Sequence, residues 1–174
     1  MTLKNLSLVL GGASSGKSGF AETLVTGSGR ARVYIATAQA HDAEMQARIT
    51  AHRQARGPDW RTVEAPLEPG AALATVAEDE IALLDCATLW LSNLMLAGAD
   101  LAEAERELMQ ALDDCPAPVV VVSNEVGGGV VPDNALARRF RAAQGGLNQR
   151  LAARADLAVL VVAGLPLVLK GALP

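Results

Sequence analysis

At 174 residues, with 51% hydrophobic and 20% charged side chains, the chain has a globular rather than a disordered composition and is too short for two ordinary domains, so one domain spanning 1–174 is expected. A net charge of −4 and 3% aromatic residues leave neither a basic field nor stacking rings for nucleic acid, which is therefore not an expected partner. The N-terminal apolar run is too short for a signal peptide, and the longest apolar stretch, 157–169, is broken by Gly164 and Pro166, so a cytoplasmic protein without a membrane span is expected.

The first predicted strand, Leu6-Ser7-Leu8-Val9-Leu10, runs into Gly11-Gly12-Ala13-Ser14-Ser15-Gly16-Lys17-Ser18, which satisfies G-x-x-x-x-G-K-[ST] at every fixed position. Small residues let successive backbone N–H groups wrap phosphate oxygens, Lys17 adds a point charge between the outer phosphates, and Ser18 offers a hydroxyl to Mg2+. Phe20, Ala21, Leu24 and Val25 recur at helical spacing up to Gly27, which predicts a helix over 17–26 whose positive end also favours phosphate. Strand, loop and helix in this order mark a nucleoside triphosphate site, whereas a turn that merely joins strand to helix needs none of these fixed positions.

Further apolar runs predict strands at 32–36, 81–85, 119–123 and 157–162, and helical patterns occupy 42–56, 87–112 and 134–154. Two more segments, 61–65 and 165–170, read as edge strands, the second antiparallel. The alternation predicts an α/β protein of the P-loop NTPase type, with a mostly parallel sheet flanked by helices. Ligands of such sheets collect beyond the carboxyl ends of the strands, which draws attention to Ala36, Thr37, Ala38, Asp85, Ser123, Asn124 and Glu125 beside the P-loop.

Asp85 ends an apolar strand, the placement of an acid that holds magnesium or its water next to a P-loop serine, although the same acid could simply cap the strand end. In a helix over 42–56, Glu44, Arg48, His52 and Arg56 fall four apart and form a charged stripe beside Met45 and Ile49. Such a stripe is either a solvated face or an anion site. An imidazole flanked by arginines can attack phosphorus and carry the group as a phosphoramidate, which singles out His52, while His41 reads equally as a turn residue. The glycine-rich segment 125–132 reads as a mobile loop able to act as a lid, and of Arg138, Arg139 and Arg141 on the following helix two could face an anion. Cys86 and Cys115 form no C-x-x-C pair and read as core or near-core residues.

Several ordered segments together resemble one family, the bifunctional adenosylcobinamide kinase and adenosylcobinamide-phosphate guanylyltransferase of cobalamin biosynthesis. The likeness runs nearly end to end, through the P-loop, Tyr34-Ile35-Ala36-Thr37-Ala38, Glu44-Met45 with Arg48-Ile49 and His52, Trp60-Arg61-Thr62-Val63-Glu64 and Asp85-Cys86. It continues through Leu89-Trp90-Leu91-Ser92-Asn93-Leu94, Ser123-Asn124-Glu125-Val126-Gly127, Val131-Pro132, Arg139-Phe140-Arg141, Leu147-Asn148-Gln149 and Gly164-Leu165-Pro166. The resemblance implies an enzyme that phosphorylates adenosylcobinamide with ATP or GTP and then transfers GMP from GTP to the phosphate, releasing pyrophosphate. It implies that His52 carries GMP covalently, that nucleotide contacts fall on Gly11, Gly12, Ala13, Ser14, Ser15, Gly16, Lys17, Ser18, Ala36, Thr37, Ala38, Arg53, Gln54, Ala55, Arg56, Glu64 and Asp85, and that the chain forms a homotrimer. Ser14 departs from the pattern, since arginine often stands there, and Ser14→Arg is expected to raise phosphorylation more than guanylylation. Two other readings compete: a simple small-molecule kinase without a covalent adduct, and a nucleotide-dependent regulatory module. A switch GTPase is disfavoured because Asn124 is not followed by the N-K-x-D pattern.

Overall fold

The structure is a computed structural model that describes residues 3, 5–39, 47, 50, 53, 54 and 56–174. Among these, β1 (Leu6–Gly11), β2 (Ala31–Ala36), β3 (Trp60–Glu64), β4 (Glu80–Asp85), β5 (Val119–Asn124), β6 (Leu157–Val162) and β7 (Leu165–Lys170) form a 7-stranded sheet in the order β3-β2-β4-β5-β1-β6-β7. Every neighbouring pair is parallel except β6 with β7. The expected P-loop α/β architecture and its antiparallel edge are thus both present, and each expected strand lies within a residue of its observed bounds.

Parallel strands covered on both faces must be apolar throughout, and β1 is buried along its whole length while β5 is buried from Val119 to Ser123. Alternate residues feed two layers. On one face Leu8, Ile35, Leu84 and Val121 pack with α3 (Ala87–Ala97), α4 (Leu101–Asp114) and α5 (Ala135–Arg154) through Trp90, Leu91, Leu108, Leu147 and Leu151. On the other, Val9, Tyr34, Leu83 and Val122 pack with Ala21, Leu24 and Val25 of α1 (Lys17–Thr26).

The helix expected over 87–112 is two helices. Gly98 takes a left-handed conformation, φ 69°, and closes α3, while the Asp100 carboxylate accepts the Ala102 and Glu103 N–H groups at 3.0 and 3.2 Å and opens α4. A short helix not foreseen in the sequence, α2 (Pro69–Leu73), starts with proline in its first turn, where the missing N–H costs nothing. The helix expected over 42–56 lies mostly outside the described residues; Ala47, Thr50, Arg53, Gln54 and Arg56 are helical. No helix among the described residues is long and apolar enough to cross a membrane.

A candidate nucleotide site at the carboxyl edge of the sheet

The P-loop leaves β1 at Gly11, which lies beside Asn124 of β5 and Val161 of β6 in the strand register. Side-chain space is closed there, because a Cβ on Gly11 would meet Ser15 Oγ at 2.3 Å and the Val161 carbonyl oxygen at 2.7 Å. The loop then turns through Ser14 at φ 56° and Gly16 at φ 91°, and Gly16 precedes α1. It is braced from the β6–β7 turn, where the Gly164 N–H donates to the Ser15 carbonyl at 2.8 Å. Lys17 Nζ donates to the Gly12 carbonyl at 3.1 Å. Ser15 Oγ is buried without a hydrogen-bond partner among the described residues, an orphaned polar atom inside a loop whose geometry suits phosphate oxygens.

At the end of β4, Asp85 Oδ2 accepts the Tyr34 hydroxyl at 3.0 Å. Burial first and the Asp85 charge second push the Tyr34 phenol well above its ordinary value, so it is a fixed donor. The Asp85–Cys86 peptide is cis, and Cys86 is fixed by Thr37, whose hydroxyl donates to the Cys86 carbonyl and accepts its N–H, both at 2.8 Å. Burial, reinforced by Asp85, pushes the Cys86 thiol up to about 11. Asn93 of α3 donates to the carbonyls of Thr37 and Pro66 at 2.8 and 3.0 Å. Thr37 is fully buried, so its hydroxyl organises the ends of β2 and β4 instead of facing a ligand. Glu64 stands exposed at the end of β3, opposite Ala36 in the register.

Arg56 places Cζ 3.2 Å from the centroid of the Tyr34 ring, while Arg53 and Gln54 are exposed. His52 and Ala55 lie outside the described residues, as do His41, Glu44, Met45, Arg48 and Ile49. The P-loop, Ala36, Thr37, Ala38, Glu64 and Asp85 thus share one edge of the sheet, with Arg56 joined to it through Tyr34. Among the described residues no group of three or more His, Cys, Asp and Glu side chains could hold a metal. A magnesium ion would fit only in the manner of P-loop proteins, on the Ser18 hydroxyl and the Asp85 carboxylate, with phosphates and water supplying its other oxygens.

The end of β5 is held by a largely buried polar network whose members lie far apart in the chain. Thr88 Oγ1 accepts the Asn124 N–H at 2.7 Å, Asn148 Nδ2 donates to the Asn124 carbonyl at 3.0 Å, and Ser123 Oγ donates to Asn148 Oδ1 at 2.6 Å. Gln144 Nε2 donates to Ser123 Oγ and Asn148 Oδ1 at 2.9 and 3.0 Å. Glu125 N–H then reaches the Gly11 carbonyl at 3.1 Å, so the network supports the first residue of the P-loop.

The expected lid is a pinned loop. Glu125 accepts the N–H groups of Gly127 and Gly128 at 2.6 and 3.1 Å, and Arg141 donates to the carbonyls of Gly127, Gly129 and Val130. Arg138 donates to the carbonyls of Pro132 and Asp133 at 3.0 and 2.7 Å. Of the three arginines, two of which were expected to face an anion, Arg138 and Arg141 are therefore engaged with the backbone, and Arg139 is exposed.

Residues 7–169 match the family described as cobinamide kinase / cobinamide phosphate guanyltransferase. The chain belongs to this family. It is 48% identical over 167 residues to the bifunctional adenosylcobalamin biosynthesis protein CobP of Pseudomonas aeruginosa, covering 94% of this chain and 96% of that relative. It is 44% identical over 179 residues to the bifunctional adenosylcobalamin biosynthesis protein CobU of Salmonella typhimurium, covering 94% and 98%. Among solved structures, it resembles an ATPase of the type III secretion system of pathogenic bacteria with a TM-score of 0.55 at 12% identity, over 89% of this chain and 50% of the ATPase chain. A Pyrococcus horikoshii OT3 protein titled PH0250 gives 0.59 at 8% identity, over 98% and 88%. These likenesses concern the fold, and it is the family match that makes the chain an enzyme with cobinamide kinase and cobinamide phosphate guanyltransferase activities.

Proposed function

We propose that this bifunctional enzyme of adenosylcobalamin biosynthesis uses one nucleotide site for both reactions, with His52 as the guanylyl carrier. The P-loop and Asp85 sharing one sheet edge, in a chain of this family, is the observation that carries the reading. The backbone of Gly11, Gly12, Ala13, Ser14, Ser15 and Gly16 would hold the outer phosphates with Lys17, while Ala36, Ala38, Arg53, Gln54, Ala55, Arg56 and Glu64 would complete the nucleotide contacts and buried Thr37 would hold the strand ends in place for them. Mg2+, held by Ser18 and Asp85, would offset charge on the phosphate oxygens.

In the kinase step, the aminopropanol hydroxyl of adenosylcobinamide attacks the γ-phosphorus of ATP or GTP, the bond to the β-phosphate oxygen breaks, and a nucleoside diphosphate leaves. Lys17 stabilises the charge that moves onto the leaving oxygen. In the guanylyl step, neutral His52 attacks the α-phosphorus of GTP and pyrophosphate leaves on the P-loop, which already holds those two phosphates. A phosphate oxygen of adenosylcobinamide phosphate then attacks the guanylyl-histidine, yielding adenosylcobinamide-GDP and freeing the imidazole. Incubation with α-labelled GTP and magnesium is expected to leave an acid-labile label on the protein that His52→Ala abolishes. Label surviving in that variant removes His52 from the nucleophile role.

Assembly as a homotrimer forms part of the same reading. Its support is β7, exposed along its length and carrying Leu165, Leu167 and Leu169, which suits a subunit contact. Light scattering of the eluting protein tests it, a monomer at micromolar concentration being the contrary result.

A further inference from the structure

Tyr34 is fixed from several sides. Its hydroxyl donates to Asp85, its ring meets Trp60 edge-on at 6.1 Å and 82°, and it packs in the layer that holds Ala21, Leu24, Phe20 and Leu89. The guanidinium of Arg56 lies against the ring, with Cζ 3.2 Å from the centroid. Yet Nε and Nη1 of Arg56 are buried and have no hydrogen-bond partner among the described residues. Two guanidinium nitrogens shut off from water with their donors idle are unfavourable unless an anion accepts them. The nearby carboxylate, Asp85, takes the tyrosine hydroxyl instead, which leaves the arginine's donors for a ligand. The planar cation also suits this place in a way an ammonium does not, because it stacks on the ring while its edge still donates.

Resting on the nucleotide site proposed above, we infer that Tyr34 is a positioning residue whose ring holds the Arg56 guanidinium for the phosphates of a nucleoside triphosphate, and whose hydroxyl locks that platform to Asp85. Arg56 follows His52 by four positions in the sequence, so the same platform anchors the end of the segment that bears the proposed nucleophile. Neither composition nor helical periodicity marks Tyr34, because in the sequence it is one more residue of a strand.

The test is a double-mutant cycle on the affinity of the full chain for guanosine β,γ-imidotriphosphate with magnesium. Tyr34→Leu and Arg56→Leu are each expected to weaken binding about ten-fold, and the double variant no more than either alone. Tyr34→Phe keeps the aromatic face and loses only the lock to Asp85, so its affinity is expected to fall between those of the wild type and Tyr34→Leu. Losses that multiply in the double variant overturn the inference, as does a Phe variant that falls as far as the Leu variant. If Tyr34→Leu fails to fold, Arg56→Lys decides: a loss like that of Arg56→Leu supports stacking, and near-wild-type affinity refutes it. Coupling found in a protein that takes no label from α-labelled GTP supports the positioning role and defeats only the guanylyl-transfer reading.

Discussion

Replacing Gly11 with alanine tests whether the P-loop is shaped by backbone crowding or merely by flexible sequence. Gly11 does not have positive φ, so alanine meets no conformational objection there, and the effect is purely steric. The new methyl would lie 2.3 Å from Ser15 Oγ and 2.7 Å from the Val161 carbonyl oxygen, both inside the 3.0 Å that real Cβ contacts respect. The serine can rotate away. The carbonyl cannot, because Val161 belongs to β6, which pairs with β1 in register at this position. Either the strands separate or the loop shifts, and overpacking of this kind costs about 1–3 kcal/mol. For a chain of this size that is a fall of about 2–12 °C in melting temperature. Gly12→Ala is the control, since a Cβ there has nothing within 4 Å. Thermal melts with and without GTP read both effects: Gly11→Ala should melt lower and gain less from the nucleotide, because Ser15 is pushed out of the phosphate nest. Equal melting temperatures and equal GTP shifts in the two variants would refute the crowding argument.

Other outcomes follow from the polar contacts. Asn148→Ala strips the Asn124 carbonyl of its side-chain donor and should lower stability by about 1–3 kcal/mol, read as a lower urea midpoint at unchanged slope. Asn148→Asp, which sets an acceptor against that carbonyl, should be at least as damaging; a neutral effect of both would show that the network does not support the strand end. Glu80 is held below its ordinary 4.5 first by its hydrogen bond from Arg61, a contact that ties β4 to β3. A depressed carboxylate contributes stability above its unfolded pKa and loses it as pH falls through that value to the folded one. Unfolding midpoints of Glu80→Gln should therefore change less than those of the wild type as pH falls below 4.5, and parallel acid limbs would count against the pair.

What the sequence made legible follows from how each feature is encoded. The P-loop is encoded by residue identity at fixed spacing, and the central strands by unbroken apolar runs such as Val119-Val120-Val121-Val122, so both could be read directly. The break between α3 and α4 rests on Gly98-Ala99-Asp100, where a glycine C-cap and an aspartate N-cap sit so close together that apolar periodicity bridges them. The site's supporting residues were hidden for a different reason. Thr88, Gln144 and Asn148 come from two helices and meet only because both pack against β5, a tertiary coincidence that no local window contains.

The arginines near 140 show how the same residue types divide between structure and ligand. Arg138 and Arg141 follow a glycine-rich segment whose carbonyls have no strand or helix to receive them, and the two guanidinium groups satisfy those carbonyls. Arg56 meets no such demand: its guanidinium lies against a tyrosine face and two of its nitrogens have no partner among the described residues. Charge and position past a strand end are common to all three, so neither property separates a loop clamp from an anion contact. Unmet hydrogen-bonding capacity does: among the described residues Arg56 and Ser15 share it with Ser7 and Gln144, and of these four only Arg56 and Ser15 belong to the proposed nucleotide site, where an anionic substrate would supply the acceptor.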